Sequence, residues 1–332
     1  MKIFLIGTFM PSSIEYSYLR AFLRLGHTVK CFDTTHKNLF IKIIKKKLDN
    51  RIIFSEIKNF NPDLIFVIKG YEVLPETIDK IRDISRARIF CFNSDDPFEI
   101  TIKGTSNSNI LDSIPFYDHY FTWSKVLLNI LKQKGGARNV GYLPFGFDSF
   151  FHYPQTLSKH EADKYFSEIT FVGSWDEERE KWLKELSSFN LGIWGNSDWL
   201  FKCSDRWLRG RWKKKEMFAQ DMSKVVGSSH VSLNILRLQN KGSHNMRTFE
   251  AHASQAFVIS ERSPEICELF KEDSEAVYFS DPKEMKDKVA YYLKADFLRK
   301  KIAFSGYKRC LKSSYSYLDR AKQVLKTYEE LK

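Results

Sequence analysis

The chain opens with an apolar run, a helix-patterned stretch closed by glycine, and a second apolar run, and this order constrains the fold more than any other feature. Residues 3–7 read as a strand. Glu15 to Leu25 place Tyr18, Leu19, Phe22, Leu23 and Leu25 mostly on one side of a helix. Gly26 is placed to end that helix, and Thr28 to Phe32 form the next strand, closed by Asp33. Two strands joined through a helix pair in parallel, because the connection is a crossover and not a hairpin. The alternation continues through a helix at 52–59, strands at 64–69 and 88–92, a helix at 78–84, a strand within 118–124, a helix at 125–134 and a strand at 140–144. It restarts at 168–172, and strands at 191–194, 231–235, 258–259 and 277–278 then alternate with helices at 176–187, 215–226, 264–270 and 282–293. The expectation is an α/β chain of two doubly wound, Rossmann-like halves facing a cleft, with a last helix at 317–331.

At 332 residues the chain can hold two cores of ordinary size. The boundaries expected are a first domain over 1–154, a polar linker over 155–164, a second domain over 165–310 and a terminal helix over 311–332. No apolar run approaches the ~20 residues that span a bilayer. The opening Met-Lys-Ile-Phe-Leu-Ile-Gly is one strand and lacks the form of a signal peptide. A cytoplasmic protein is expected. Cys31, Cys91, Cys203, Cys267 and Cys310 are scattered without a Cys-x-x-Cys pair, and the histidines show no metal-binding spacing, so neither a disulfide framework nor a metal site is expected.

The net charge of +12 calls for an anionic partner. Two basic segments stand out: Lys37 to Arg51, with isoleucines, Phe40 and Leu48 between its cations, and Arg206 to Lys215, with Trp207 and Trp212 among its cations. Such patterns suit the inner face of an anionic membrane, and Trp with Arg also suits nucleobase stacking. Solvated helix faces are the plain alternative for both.

Residues 242–259 carry the densest chemistry. Ser243, His244, Asn245 and Arg247 stand just ahead of Phe249-Glu250-Ala251, where a polar loop feeds a helix and then a strand at 256–259. A helix N-terminus favours anions, a guanidinium fork matches phosphate oxygens, and a carboxylate such as Glu250 can accept two ribose hydroxyls. Together these suggest a nucleotide-sugar pocket. An ordinary capped helix with surface Arg and Glu is the alternative.

This stretch resembles the donor site of GT-B glycosyltransferases, in particular the branch related to the spore-maturation CgeB-like proteins, whose pattern is similar to Ser-x-Asn-Met-Arg-x-Phe-Glu. The position of Glu250 resembles the second glutamate of a pair seen in retaining members. Gly242 stands where the first would be, and Ser254-Gln255 replaces the usual glycine turn. Gly141 to Pro154 resembles the Pro-x-Gly-x-Asp segment that closes the first GT-B domain. The resemblance implies a terminal helix crossing back onto the first domain and a metal-independent, retaining transfer of a sugar from a nucleoside-diphosphate donor to a glycan or lipid-linked acceptor. No cofactor beyond the donor substrate is implied.

Three further loops follow strands, where parallel sheets bind ligands. Gly173-Ser174 with Arg179 resembles a donor-domain Phe-Val-Gly-Ser strand end, so that Arg179 could clamp a pyrophosphate; a surface helix residue is the alternative. Gly195, after Trp194, would meet the base, with Trp194 itself as core. Asp95 and Asp96, in the first domain, could hold an acceptor or take its proton, although Asp-Asp-Pro also suits a plain turn; the sequence does not choose between them. The rivals are a sugar-nucleotide epimerase of the same fold and a non-catalytic nucleic-acid-binding protein. No nucleic-acid-binding signature is present, so no nucleic-acid partner is expected.

Overall fold

The computed structural model describes residues 1–10, 12–35, 52–100, 102 and 104–332. The basic segment Lys37 to Arg51 therefore lies outside the described residues. The chain divides into two compact units, one formed by Met1–Phe145 with Tyr317–Lys332 and the other by Gly146–Ser316.

The first unit is a six-stranded parallel sheet of β1 (Lys2–Gly7), β2 (Thr28–Asp33), β3 (Leu64–Ile68), β4 (Arg88–Asn93), β5 (His119–Thr122) and β6 (Val140–Tyr142), in the order β2-β1-β3-β4-β5-β6. Its helices are α1 (Ile14–Arg24), α2 (52–60), α3 (Pro75–Ile84), α4 (Ser108–Ser113) and α5 (Leu127–Gln133). Every residue of β3 is buried, the pattern of a central strand covered on both faces. Ser13 starts α1 by accepting the Tyr16 amide.

The second unit is a five-stranded parallel sheet of β7 (Ile169–Val172), β8 (Leu191–Trp194), β9 (Val231–Asn234), β10 (Val258–Glu261) and β11 (Val277–Phe279), in the order β11-β10-β9-β7-β8. Around it lie α6 (Lys159–Tyr165), α7 (Glu177–Lys184), α8 (Asp198–Phe201), α9 (Arg206–Arg211), α10 (Ala219–Gly227), α11 (Met246–Ala253), α12 (Pro264–Leu269), α13 (Pro282–Lys294) and α14 (Asp296–Lys312). The final helix, α15 (Tyr317–Glu330), belongs to the first unit, where Tyr317 meets Tyr18 of α1 with ring centroids 5.4 Å apart.

The division falls at Phe145, nine residues ahead of the expected end of the first domain. The reason is local pairing. Phe147 bridges to Ser316, Ser223 Oγ donates to the Phe151 carbonyl, and His152 approaches Glu250, all within the second unit. The expected linker over 155–164 is instead largely helix, because Ser158 and Glu161 form a reciprocal capping box that starts α6.

Each sheet has a switch point, where the chain leaves one strand for its neighbour on one side and later returns to the other side. In the first unit it lies between β1 and β3, in the second between β7 and β9. Crevices at such points are where open parallel sheets hold ligands.

Candidate functional site

At the second unit's switch point three guanidinium groups gather. Arg179, on α7, is 5% exposed. Its Nε and Nη2 donate to the Ile235 carbonyl at 3.1 and 2.7 Å, and its Nη1 donates to the Ser174 carbonyl at 3.0 Å. The cation sits 5.4 Å over the Phe171 ring and 3.3 Å from Asp176. Burial first, and then the nearby cations of Arg237 and Arg247, hold its pKa down to about 10, against the opposing pull of Asp176 and Glu261. Arg179 thus ties the loop after β7 to the loop after β9. Its expected role as a clamp open to pyrophosphate is corrected to that of a strut, since carbonyls already occupy all three of its nitrogens.

Asn245 caps α11. Its Oδ1 accepts the Thr248 amide at 3.1 Å, and its Nδ2 donates to Asn234 Oδ1 at 2.8 Å; Asn234 Nδ2 in turn donates to Ser260 Oγ at 3.1 Å. The cap and the ends of β9 and β10 thereby form one polar chain. The first turn of α11 presents its amides beyond this cap.

Arg247 and Glu250 lie one turn apart on α11 and form an ion pair between Arg247 Nη1 and Glu250 Oε2. Arg247 Nε also points to the Val172 carbonyl, at 3.4 Å, which holds the side chain at the end of β7. Glu250 is only 4% exposed. Behind it stands His152, whose Nε2 is 3.7 Å from Glu250 Oε1. His152 Nδ1 accepts the Asp148 amide at 3.0 Å, so the ring proton is on Nε2 and faces the carboxylate. The expectation of an arginine and an acid each open to a ligand is therefore modified: the two side chains are joined to each other.

Two expected donors turn away. Ser243 and His244 are fully buried. His244 Nδ1 lies 3.0 Å from Glu265 Oε2, its ring stands edge-on to Phe249, and the Ser243 carbonyl accepts from Ser263 Oγ. Their reading as ligand donors is corrected; they anchor the loop onto α12. Gly242, at φ +82°, makes the turn that sends them inward, a conformation a glutamate side chain would strain.

Gly173 and Gly195 are each required by close packing: a Cβ on Gly173 would lie 2.9 Å from the Phe171 ring. A Cβ on Gly195 would lie 2.1 Å from the Gly173 carbonyl oxygen, which itself accepts from Trp199 Nε1 at 2.9 Å. Gly195 passes its own carbonyl to Trp212 Nε1, at 2.8 Å. Trp212 and Trp207, the indoles of the basic segment 206–215, are half-buried against the core. Trp194 is core, packed on Tyr165.

The first unit has a second polar cluster at its own switch point. Asp95 Oδ2 is 2.5 Å from Lys69 Nζ, which also donates to the Gly104 carbonyl at 2.6 Å. Lys69 sits at φ +63°, sparsely populated for a side-chain-bearing residue. Asp96 is half-buried, accepts the Phe98 amide at 2.9 Å, and is raised above the usual carboxylate range, chiefly by burial, with Glu99 and Asp95 adding to it. Glu15, buried at the start of α1, accepts the Thr8 amide at 3.2 Å and is also raised by burial. The structure thus separates Asp95, neutralised by a lysine, from Asp96, which burial keeps basic.

Sequence reading missed Lys69, Glu15, His152 and Arg237. Lys69-Gly70 at a strand end and the histidine closing the Phe-Asp-Ser-Phe-Phe-His segment were the available signals. Among the described residues no group of three or more His, Cys, Asp or Glu side chains is placed to hold a metal ion. Among them, too, no helix is long and apolar enough to cross a membrane.

Residues 178–326 match the family described as Glycosyl transferase-like (Glyco_trans_1_2). No curated protein sequence matches the chain. Among solved structures it is similar to a glycosyltransferase from Rickettsia africae (14% identity, TM-score 0.69, covering 99% of this chain and 98% of that one). It is similar also to sucrose-phosphate synthase from Thermosynechococcus elongatus (12%, 0.74, 99% and 98%). A third is HepE of Anabaena in complex with UDP-glucose (12%, 0.70, 99% and 100%). The fold is GT-B, two Rossmann-like parallel-sheet domains. The family match begins in α7 and takes in α11 with its Arg247–Glu250 pair.

Proposed function

We propose that the chain moves a sugar from a nucleoside-diphosphate donor, of the UDP-sugar kind bound by HepE, to a cell-surface glycan or lipid-linked acceptor, without a metal ion. We assign it to the CgeB-like branch on the Asn245-Met-Arg-x-Phe-Glu250 pattern. The observation that carries this reading is that Arg237 and Arg247, the latter in the first turn of α11, both lie within electrostatic reach of Arg179. As the bond from the anomeric carbon to the phosphate oxygen breaks, the departing diphosphate gains negative charge. Fixed guanidiniums and helix amides lower the energy of that charge at the place where it develops. Arg247 is the more exposed partner of its ion pair and keeps an edge for the ligand.

In this reading Glu250 accepts the ribose hydroxyls once Arg247 has turned to phosphate, with His152 holding the carboxylate in place. Donor binding belongs to the second unit and the acceptor to the first. There Asp96, its basicity raised by burial, accepts a hydrogen bond from the attacking hydroxyl, while Lys69 and Asp95 fix the loop. Retention, the outcome that the place of Glu250 implies, delivers the hydroxyl proton to the departing phosphate oxygen; inversion delivers it to Asp96. Proton NMR of the product's anomeric coupling distinguishes the two. The location proposed is the cytoplasmic face of the membrane, where activated donors and lipid-linked acceptors meet.

Calorimetric titration with UDP tests the site. Arg237→Ala and Arg247→Ala should each weaken binding by about tenfold or more, the loss of one charge-assisted contact. Unchanged affinity in both variants removes the donor site from this crevice. Incubation of donor alone separates transfer from epimerisation, since only an epimerase converts the sugar without an acceptor.

A further inference from the structure

Helix α14 has two faces that do different things. Arg299, Ile302, Ala303, Gly306 and Cys310 are buried against the second unit. The opposite face is solvent-exposed, yet it carries Phe297, Phe304 and Leu311, which are 82%, 45% and 54% exposed. These three recur every seven residues, so on a straight helix they drift by only about 20° per step and form one stripe along roughly 21 Å of helix. Lys300, Lys301 and Lys308 lie exposed within the same arc. Lys308 Nζ sits 4.3 Å over the Phe304 ring, its stem along the stripe and its charge at the outer rim. The one carboxylate of the helix, Asp296, stands in its first turn, already paired with Arg299 and Lys300, each at 2.8 Å.

We infer that this face of α14 docks on an anionic lipid bilayer, with the three apolar side chains entering the headgroup boundary and the lysines meeting lipid phosphates. Single exposed apolar residues are ordinary, but a stripe of three, flanked on both sides by cations and free of acids along its length, is the pattern of an interfacial helix. A second copy of the chain is the poorer occupant. Helix pairing wants two apolar positions per heptad where this face offers one, and symmetric self-association would set lysines against the same lysines. The stripe uses other residues than the two basic segments noted in the sequence. It is independent of the donor-site reading, because the measurement below is of binding and not of catalysis.

The experiment is sedimentation of the full chain with phosphatidylcholine vesicles, with and without phosphatidylglycerol. The chain should sediment with the anionic vesicles alone and be released by salt. Phe297→Ser/Phe304→Ser/Leu311→Ser should lose binding by tenfold or more. Lys300→Glu/Lys301→Glu/Lys308→Glu should lose roughly 100-fold, at about fivefold for each lysine near an anionic surface. All six positions are exposed, so both variants should keep their thermal midpoint and UDP affinity. Wild-type protein that ignores anionic vesicles overturns the inference. So do triple variants that sediment as wild type while Lys42→Gln/Lys45→Gln/Lys46→Gln/Lys47→Gln abolishes binding. A concentration-dependent dimer in sedimentation velocity that the apolar triple variant dissolves would assign the stripe to self-association instead, and equally overturn it.

Discussion

Replacing Arg247 by alanine separates the structural from the functional part of the α11 site. Glu250 is 4% exposed and touches one full-time cation, the Arg247 guanidinium, with His152 Nε2 farther off at 3.7 Å. Removing one partner of a fully buried pair costs about 3–5 kcal/mol, because the remaining charge has lost its compensation. The Arg247 side chain is 22% exposed, so water already screens part of the pair, and a loss of about 2–3 kcal/mol is expected. For a unit of this size that lowers the unfolding midpoint by about 5–10 °C. Every tryptophan except Trp123 lies in the second unit, so intrinsic fluorescence follows that unit's transition. Adding Glu250→Gln to Arg247→Ala should recover about half of the loss, since the amide carries no charge to strand. UDP affinity should stay low in both variants, by about 10- to 100-fold, since the phosphate contact is absent from each. A single variant as stable as wild type would show that the pair does not hold the helix. A double variant no more stable than the single would show that a stranded carboxylate was not the cost. Reduced stability with unchanged UDP affinity would leave Arg247 a purely structural residue.

Asp96→Asn should reduce transfer by about 100-fold in an inverting reaction, where Asp96 takes the hydroxyl proton, and by less in a retaining one, whereas Asp95→Asn should act more weakly and through acceptor KM; equal effects on kcat would refute the distinction drawn from Lys69. His119 and His252 are buried and pushed down to about 4 by desolvation. Both remain neutral in the fold, so their stability contribution is complete above the ordinary value of 6.5 and is lost as pH falls from there towards 4, where only the unfolded chain takes up the protons. Each accounts for roughly 3 kcal/mol over that window, and His119→Phe should make the decline of the denaturant midpoint shallower; an unchanged slope means that His119 is charged in the fold. Gly195→Ala places a methyl group 2.1 Å from the Gly173 carbonyl oxygen, and a loss of about 3 kcal/mol or more is expected. A midpoint within a degree of wild type would show that the two loops can part without cost.

The fold was legible where burial speaks in periods. Strands such as Leu64–Ile68 are continuous apolar runs because helices cover both faces of the sheet, and α1 and α15 each keep one apolar side. α14 was not legible, and its outward stripe is the reason. Phe297, Phe304 and Leu311 on the exposed face mask the inner rhythm of Ile302, Ala303, Gly306 and Cys310, so apolar residues occur all round. The boundary at Phe145 was hidden for another reason: Phe147, Phe151 and His152 join the second unit through contacts with Ser316, Ser223 and Glu250, residues far along the chain. In the candidate site, residue type was readable but direction was not. Ser243, His244, Asn245 and Arg247 are near neighbours in sequence, yet the turn at Gly242 buries the first two, the third caps the helix, and Arg247 keeps an exposed edge. Arg179 shows the same limit, since a buried guanidinium that braces carbonyls and an open one that binds phosphate have the same letter.

The pairing of Arg247 with Glu250 gives the motif a reason to contain both residues. A guanidinium fork accepts a carboxylate and a phosphate with the same geometry. In the proposed function the Glu250 carboxylate stands where the phosphate would bind, and the Val172 carbonyl helps to keep Arg247 at the end of β7. When diphosphate arrives, Arg247 exchanges one anion for another and does not have to shed water from a free charge, so little reorganisation opposes binding. Glu250 then loses its cation and would be stranded unless something else meets it. The ribose hydroxyls and the Nε2 proton of His152 are two donors suited to that, and the second is already in place before binding. On this account His152→Ala should weaken nucleoside-diphosphate binding more than it weakens inorganic pyrophosphate binding, because pyrophosphate brings no ribose and never calls on Glu250. Equal losses for the two ligands would place His152 outside the exchange and leave it a packing residue beneath the helix.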